Sequence, residues 1–143
     1  MIVNLTKLNC LSREPYYAIM WGERLRGMIG RQFEENSFDA MVFNRCNMVH
    51  TFFMSIPLDV VFVDKENSIC ALHHAVAPWT PLLRCRQAKA VIELPAGTVE
   101  QTGTEIGDKI DLNSELTSDT VKKLKTSGNL GTIRPISLQR GGE

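Results

Sequence analysis

Three polar side chains, His50, Thr51 and Asp59, stand inside the otherwise apolar run CNMVHTFFMSIPLDVVFVD, residues 46–64. An imidazole touching a carboxylate would supply general acid–base chemistry for a hydrolase-like reaction, or two ligands of a metal-assisted one. The same groups also serve structure, because polar atoms are costly to bury without partners. A strand histidine is more often a core or rim residue held by a backbone carbonyl than a catalyst. Asp59 follows the Pro57 turn, where a carboxylate readily accepts backbone N–H groups. Pairing with Arg24, Arg31 or Arg45 is its second option.

Spacing limits the chemistry. If residues 48–54 and 59–63 pair as a hairpin across SIPL, His50 and Asp59 share a face but lie about 13 Å apart, at ~3.3 Å per residue. A direct dyad then requires a different connection. His73 and His74 are adjacent, so a strand would point them to opposite faces. Cys10, Cys46, Cys70 and Cys85 show no CxxC spacing, and no zinc or thioredoxin-like motif is present. The chain has no GxSxG elbow, GxxxxGK[ST] loop or GxGxxG turn, so no catalytic residue, metal or cofactor is assigned. Arg24, Arg26 and Arg31 form one basic cluster and Arg84, Arg86 and Lys89 another; solvated charge is the commoner role, an anion site the sharper one. Trp79, between Pro78 and Pro81, either walls a pocket or caps the fold.

The elements that must position these groups are short. IVNLTKL (2–8), YYAIMW (16–21), AMVF (40–43), residues 48–54, residues 59–63, ICALHH (69–74), KAVIEL (89–94) and GDKIDL (107–112) read as strands bounded by turn residues. Leu25, Met28 and Ile29 give GERLRGMIGR (22–31) a helical apolar face. TVEQTG (98–103) suits a single helical turn. SDTVKKLKTSG (118–128) carries a helix start at Ser118 or Asp119 and a stop at Gly128. Strands without long intervening helices predict a mainly β fold, a single compact barrel or sandwich of about eight short strands. One short helix is expected early and one near the C-terminus. Residues 1–112 form the expected β domain, and 113–143 a C-terminal extension with a short helix and a partly extended tail.

The chain has 143 residues, 16 basic and 16 acidic side chains and zero formal net charge. That balance argues against a nucleic-acid partner, which needs a basic excess. No stretch approaches the ~20 apolar residues of a membrane span. MIVNLTKLNC lacks the charged and apolar regions of a signal peptide, so reduced thiols and a cytoplasmic location are expected.

In order, Glu23, Arg24, Gly27, Met28 and Arg31, then Met41 and Phe43, then VHTFFMSIPLDVVFVD, then Pro78 and Trp79, then Glu93, Leu94, Ala96 and Gly97, and Gly107 with Asp108 resemble the bacterial and archaeal family called domain of unknown function 192. The likeness runs from about Ala18 to Leu112, to the branch with a His-Thr-Phe-x-Met run. Many members carry Trp-Met-Lys-Asn-Thr where this chain has His50 to Met54, so no role placed on that run transfers. The resemblance implies a compact, mostly β fold and no assigned reaction. Its recurrent polar positions imply that Arg24, Asp59 and Glu93 meet, as a fold-locking ion-pair network or as a ligand pocket. The leading expectation is a ligand-binding or accessory module with a polar cluster of Arg24, His50, Thr51, Asp59 and Glu93. The partner would be a small molecule or a protein, and the oligomeric state is left open. An enzyme using His50 and Asp59 is one alternative; an interaction module acting through residues 113–143 is another.

Overall fold

The structure, a computed structural model, describes residues 1–19, 33, 38–115 and 126. Among the described residues, ten strands and one short helix follow in chain order: β1 (Ile2–Asn4), β2 (Asn9–Ser12), β3 (Pro15–Tyr17), β4 (Ala40–Asn44), β5 (Met48–Val49), β6 (Leu58–Asp64), β7 (Ile69–Val76), β8 (Leu83–Arg84), β9 (Ala88–Pro95), α1 (Thr98–Thr102) and β10 (Ile110–Asp111). The mainly β expectation holds, with ten strands among the described residues where the sequence predicts about eight. They form three separate sheets, β10-β1-β2, β3-β4-β9-β6-β7 and β5-β8, rather than one closed ladder. The helices read at 22–31 and 118–128 fall on residues outside the described ones, apart from Thr126.

β6 explains the architecture. Its sequence LDVVFVD is β-branched and aromatic, and it lies between β7 and β9, antiparallel to both. Both of its faces are covered, so Leu58, Val60, Val61, Phe62 and Val63 are all fully buried. A strand packed on both faces reads as a continuous apolar run rather than an alternating one.

Each face of the five-stranded sheet has its own core. Val61, Val63, Ile92 and Leu94 pack with Ile2, Leu11 and Ile110 of the three-stranded sheet and with Val99 of α1. On the other face, Met41, Phe43, Val60, Phe62 and Val91 pack with Ala18, Phe38 and Met54, and half-buried Val49 and Leu83 bring the β5–β8 ribbon against them. Burying a large apolar side chain stabilises the fold by about 1.5–3 kcal/mol, so the paired cores hold the sheet in place.

The hairpin expected across SIPL does not form. β5 pairs with β8, with Met48 opposite Arg84, and both edges of β6 are taken by β7 and β9. After Val49 the chain leaves the strand, and the Met54 N–H closes a turn onto the Thr51 carbonyl at 3.3 Å. His50 is therefore not opposite Val63, whose partners are Ile69 and Ala90.

Candidate functional site

Asp59 is fully buried. Its Oδ1 accepts the Ala75 N–H at 2.8 Å and its Oδ2 the Val99 N–H at 2.9 Å. Val99 lies in the first turn of α1, whose preceding residue Gly97 has a left-handed φ of 90° and supplies no side-chain cap. The first N–H groups of a helix have no partner within it, and the Asp59 carboxylate supplies one from the neighbouring sheet. One side chain thus ties β6, β7 and α1 together, with both oxygens occupied.

Glu93 occupies the other face. It pairs across β9 with Met41 and Val60, while Asp59 pairs with Leu94. Side chains alternate along a strand, so Glu93 looks into the Met41–Val60 core and Asp59 into the Leu94–Val99 core. Glu93 is 3% exposed, and among the described residues its Oε2 has no hydrogen-bond partner. Burial pushes its carboxyl up to about 8, which favours the protonated form at neutral pH. Arg24 lies outside the described residues.

Thr51 is also fully buried. Its hydroxyl donates to the Ala77 carbonyl at 2.7 Å and accepts the Thr80 N–H at 2.8 Å. Its N–H donates to Thr80 O at 3.0 Å, and its carbonyl accepts the Trp79 N–H at 2.8 Å. The residue rivets two loops, 50–54 and 77–80, by side chain and backbone together.

Those loops present aromatic rings outward. Phe53 and Trp79 are 64% and 57% exposed, with ring centroids 4.8 Å apart and edge to face. Phe52 packs against Trp79 at 6.2 Å and against His50 at 5.2 Å. His50 is exposed, and its Nδ1 accepts the Phe52 N–H at 3.2 Å. The neutral imidazole therefore carries its proton on Nε2, as an outward donor. Phe53 and Trp79 both hold a left-handed backbone, with φ of 60° and 65°. Such a conformation costs a bulky residue about 1–3 kcal/mol, and strain of that kind collects at functional sites.

The structure thus brings His50 and Thr51 together in one pair of loops and leaves Asp59 and Glu93 on opposite faces of the sheet. Phe53 enters this cluster with no sequence signal beyond its aromatic type. Among the described residues no three His, Cys, Asp or Glu side chains gather as a set of metal ligands. Arg86 and Lys89 line a shallow groove with Lys65, Gln87, Asp64 and Glu66, a mixed-charge lining rather than an anion site.

The pattern of the family described as DUF192, Uncharacterized ACR, matches residues 14–112. A UPF0127 protein of Thermococcus sibiricus is 32% identical over 121 residues, covering 80% of this chain and 76% of its own length. A UPF0127 protein of Pyrococcus furiosus is 32% identical over 65 residues, 46% of this chain and 55% of that protein. A solved protein of unknown function from Novosphingobium aromaticivorans has TM-score 0.60 at 22% identity, covering 68% of this chain and 73% of that one. That likeness is one of fold alone. A Sinorhizobium meliloti structure, named as a suspected transcription regulator, has TM-score 0.60 at 26% identity, covering 68% of this chain and 79% of that one.

Proposed function

Because the chain belongs to the uncharacterised family DUF192, to which no reaction is attached, we propose that it is a binding module whose recognition surface is the aromatic pair Phe53 and Trp79, flanked by Phe52 and His50. The observation that supports this reading is the cost of the arrangement. Two bulky rings are held exposed, each in a left-handed backbone, by a buried threonine that joins their loops. Strained, outward-facing aromatics contribute nothing to a core, whereas exposed aromatic surface is a common anchor of protein interfaces.

The partner class follows from shape. Small-molecule sites are concave and enclose their ligand, whereas rings this exposed project from the surface. A protein partner with an apolar pocket or groove fits better, with the His50 Nε2–H as a hydrogen-bond donor at the rim. The expected cluster of Arg24, His50, Thr51, Asp59 and Glu93 is divided on this reading. His50 belongs to the surface, Thr51 supports it, and Asp59 and Glu93 serve the two cores. The His50–Asp59 enzyme finds no support in a carboxylate occupied twice by backbone amides. Residues 113–143 remain a candidate extension, nearly all of it outside the described residues.

Photo-crosslinking from position 53 or 79, followed by reconstitution with the purified crosslinked protein, tests the reading. Saturable binding that weakens at least about tenfold in a Phe53→Ser, Trp79→Ser variant of unchanged melting temperature supports it. Equal binding by that variant sinks it, and so does recovery of nucleic acid in place of protein.

A further inference from the structure

Cys70 and Cys85 stand 15 residues apart in sequence, yet their Sγ atoms are 3.2 Å apart in an S–H···S contact. We propose that this pair is a modification site, closing to a reversible intramolecular disulfide by exchange with a low-molecular-weight disulfide of the glutathione class.

Two backbone features hold the sulfurs together. Along β6 and β7, Val63 pairs with Ile69 and Phe62 with Ala71, leaving Cys70 as the extra residue of a bulge. Bulges re-aim side chains out of regular alternation. Cys85 is fixed on both sides of its own peptide: its N–H donates to Asn47 O at 3.0 Å, and its carbonyl accepts the Ala88 N–H at 3.1 Å. Both thiols are free and half-buried, within reach of a small reagent. The other two thiols contact carbonyls of their own chain segments, Cys10 that of Ser12 and Cys46 that of Met48.

Burial, and then Cys85 beside it, push the Cys70 thiol up to about 12, and the exchange runs in two steps. One thiol of the pair loses its proton to solvent and its sulfur bonds to one sulfur of the reagent; the S–S bond of the reagent breaks and one thiolate leaves. The second thiol of the pair then gives its proton to that departed thiolate and attacks the protein sulfur of the mixed disulfide, and the second reagent thiolate leaves and takes up a proton from solvent. Two protein thiols are oxidised and one disulfide is reduced to two thiols.

The closed ring spans residues 70–85 and includes Ala77, Trp79 and Thr80. On the binding reading above, oxidation would fasten the loop that carries Trp79 and is riveted to Thr51. That consequence rests on the binding reading; the disulfide does not.

The test uses the full-length reduced protein incubated with oxidised glutathione. The expected result is loss of two of the four thiols, a monomer whose unreduced digest links Cys70 to Cys85, and a melting temperature raised by roughly 5–10 °C, reversed by dithiothreitol. Cys70→Ser and Cys85→Ser should each abolish that link, and a Cys10→Ser, Cys46→Ser double variant should retain it. A Cys46–Cys85 link, a persistent glutathione adduct on Cys85, or no thiol loss in the double variant would each overturn the proposal. Partner affinity measured on both redox forms reads the binding consequence separately, and its failure leaves the thiol result standing.

Discussion

Asp59 and Glu93 sit one register step apart on the paired strands β6 and β9, yet they face opposite cores. The sheet lies between their carboxyl groups. They cannot share a proton, a metal or an arginine as neighbours on one face would. Their conditions also differ: both Asp59 oxygens accept backbone N–H groups, while the Glu93 Oε2 accepts none among the described residues.

Asp59→Asn should lower stability by about 2–4 kcal/mol, because the amide offers one acceptor where two N–H groups need one each. Urea unfolding measures this. A loss below about 1 kcal/mol would mean that the Val99 or Ala75 N–H finds another partner.

Glu93 predicts a pH effect of definite sign. Its folded value is raised from 4.5 to about 8, so the folded chain keeps a proton that the unfolded chain releases. The contribution is full below about pH 4.5 and is lost as pH rises towards about 8. Relative to Glu93→Gln, the wild type should lose a few kcal/mol across that window. Parallel stability curves for the two proteins would show that the Glu93 carboxyl ionises freely.

Thr51→Val keeps the shape but removes a donor to Ala77 and an acceptor for the Thr80 N–H. The Ala77 carbonyl still accepts the Thr80 hydroxyl at 2.8 Å, so the Thr80 N–H is the group left unsatisfied, and a loss of about 1–3 kcal/mol is expected. In a Trp21→Phe background, the fluorescence anisotropy of Trp79 should fall as its loop loosens. Unchanged anisotropy would show that the backbone bonds alone hold the two loops.

Phe53→Gly removes both the ring and the left-handed strain. Stability should stay level or rise by up to about 1 kcal/mol, while partner binding weakens at least about tenfold. A clear drop in melting temperature would instead assign the ring a structural role.

Local signals in the sequence carried some elements whole and others in part: the strand expected over 48–54 ends at Val49 and the one over 2–8 at Asn4. The run 59–63, the single turn at 98–103 and the closing strand in GDKIDL all appear in the fold. An acidic residue after Pro57 reads as an acceptor of backbone amides, but its partners lie 16 and 40 residues away, and only the packed sheet brings them. Neighbouring strands pair by default, which favours a SIPL hairpin, whereas in the fold β6 has longer partners on both edges. The partners of Thr51 are not legible for a related reason: the groups that satisfy it come from residues 77–80. The exposed rings left no pattern to read, since a left-handed backbone at Phe or Trp is set by the surrounding loops rather than by residue type.

The pairing of β1 with β10 places Val3 against Asp111. During synthesis, β1, the first of the described strands, therefore gains this neighbour only when β10, the last of them, has been made. The five-stranded sheet can assemble once β9 has emerged, but the cover over its Val61–Leu94 face stays incomplete until Ile110 arrives. Until then the open part of that face is apolar surface on the nascent chain, the kind that favours aggregation before folding is complete.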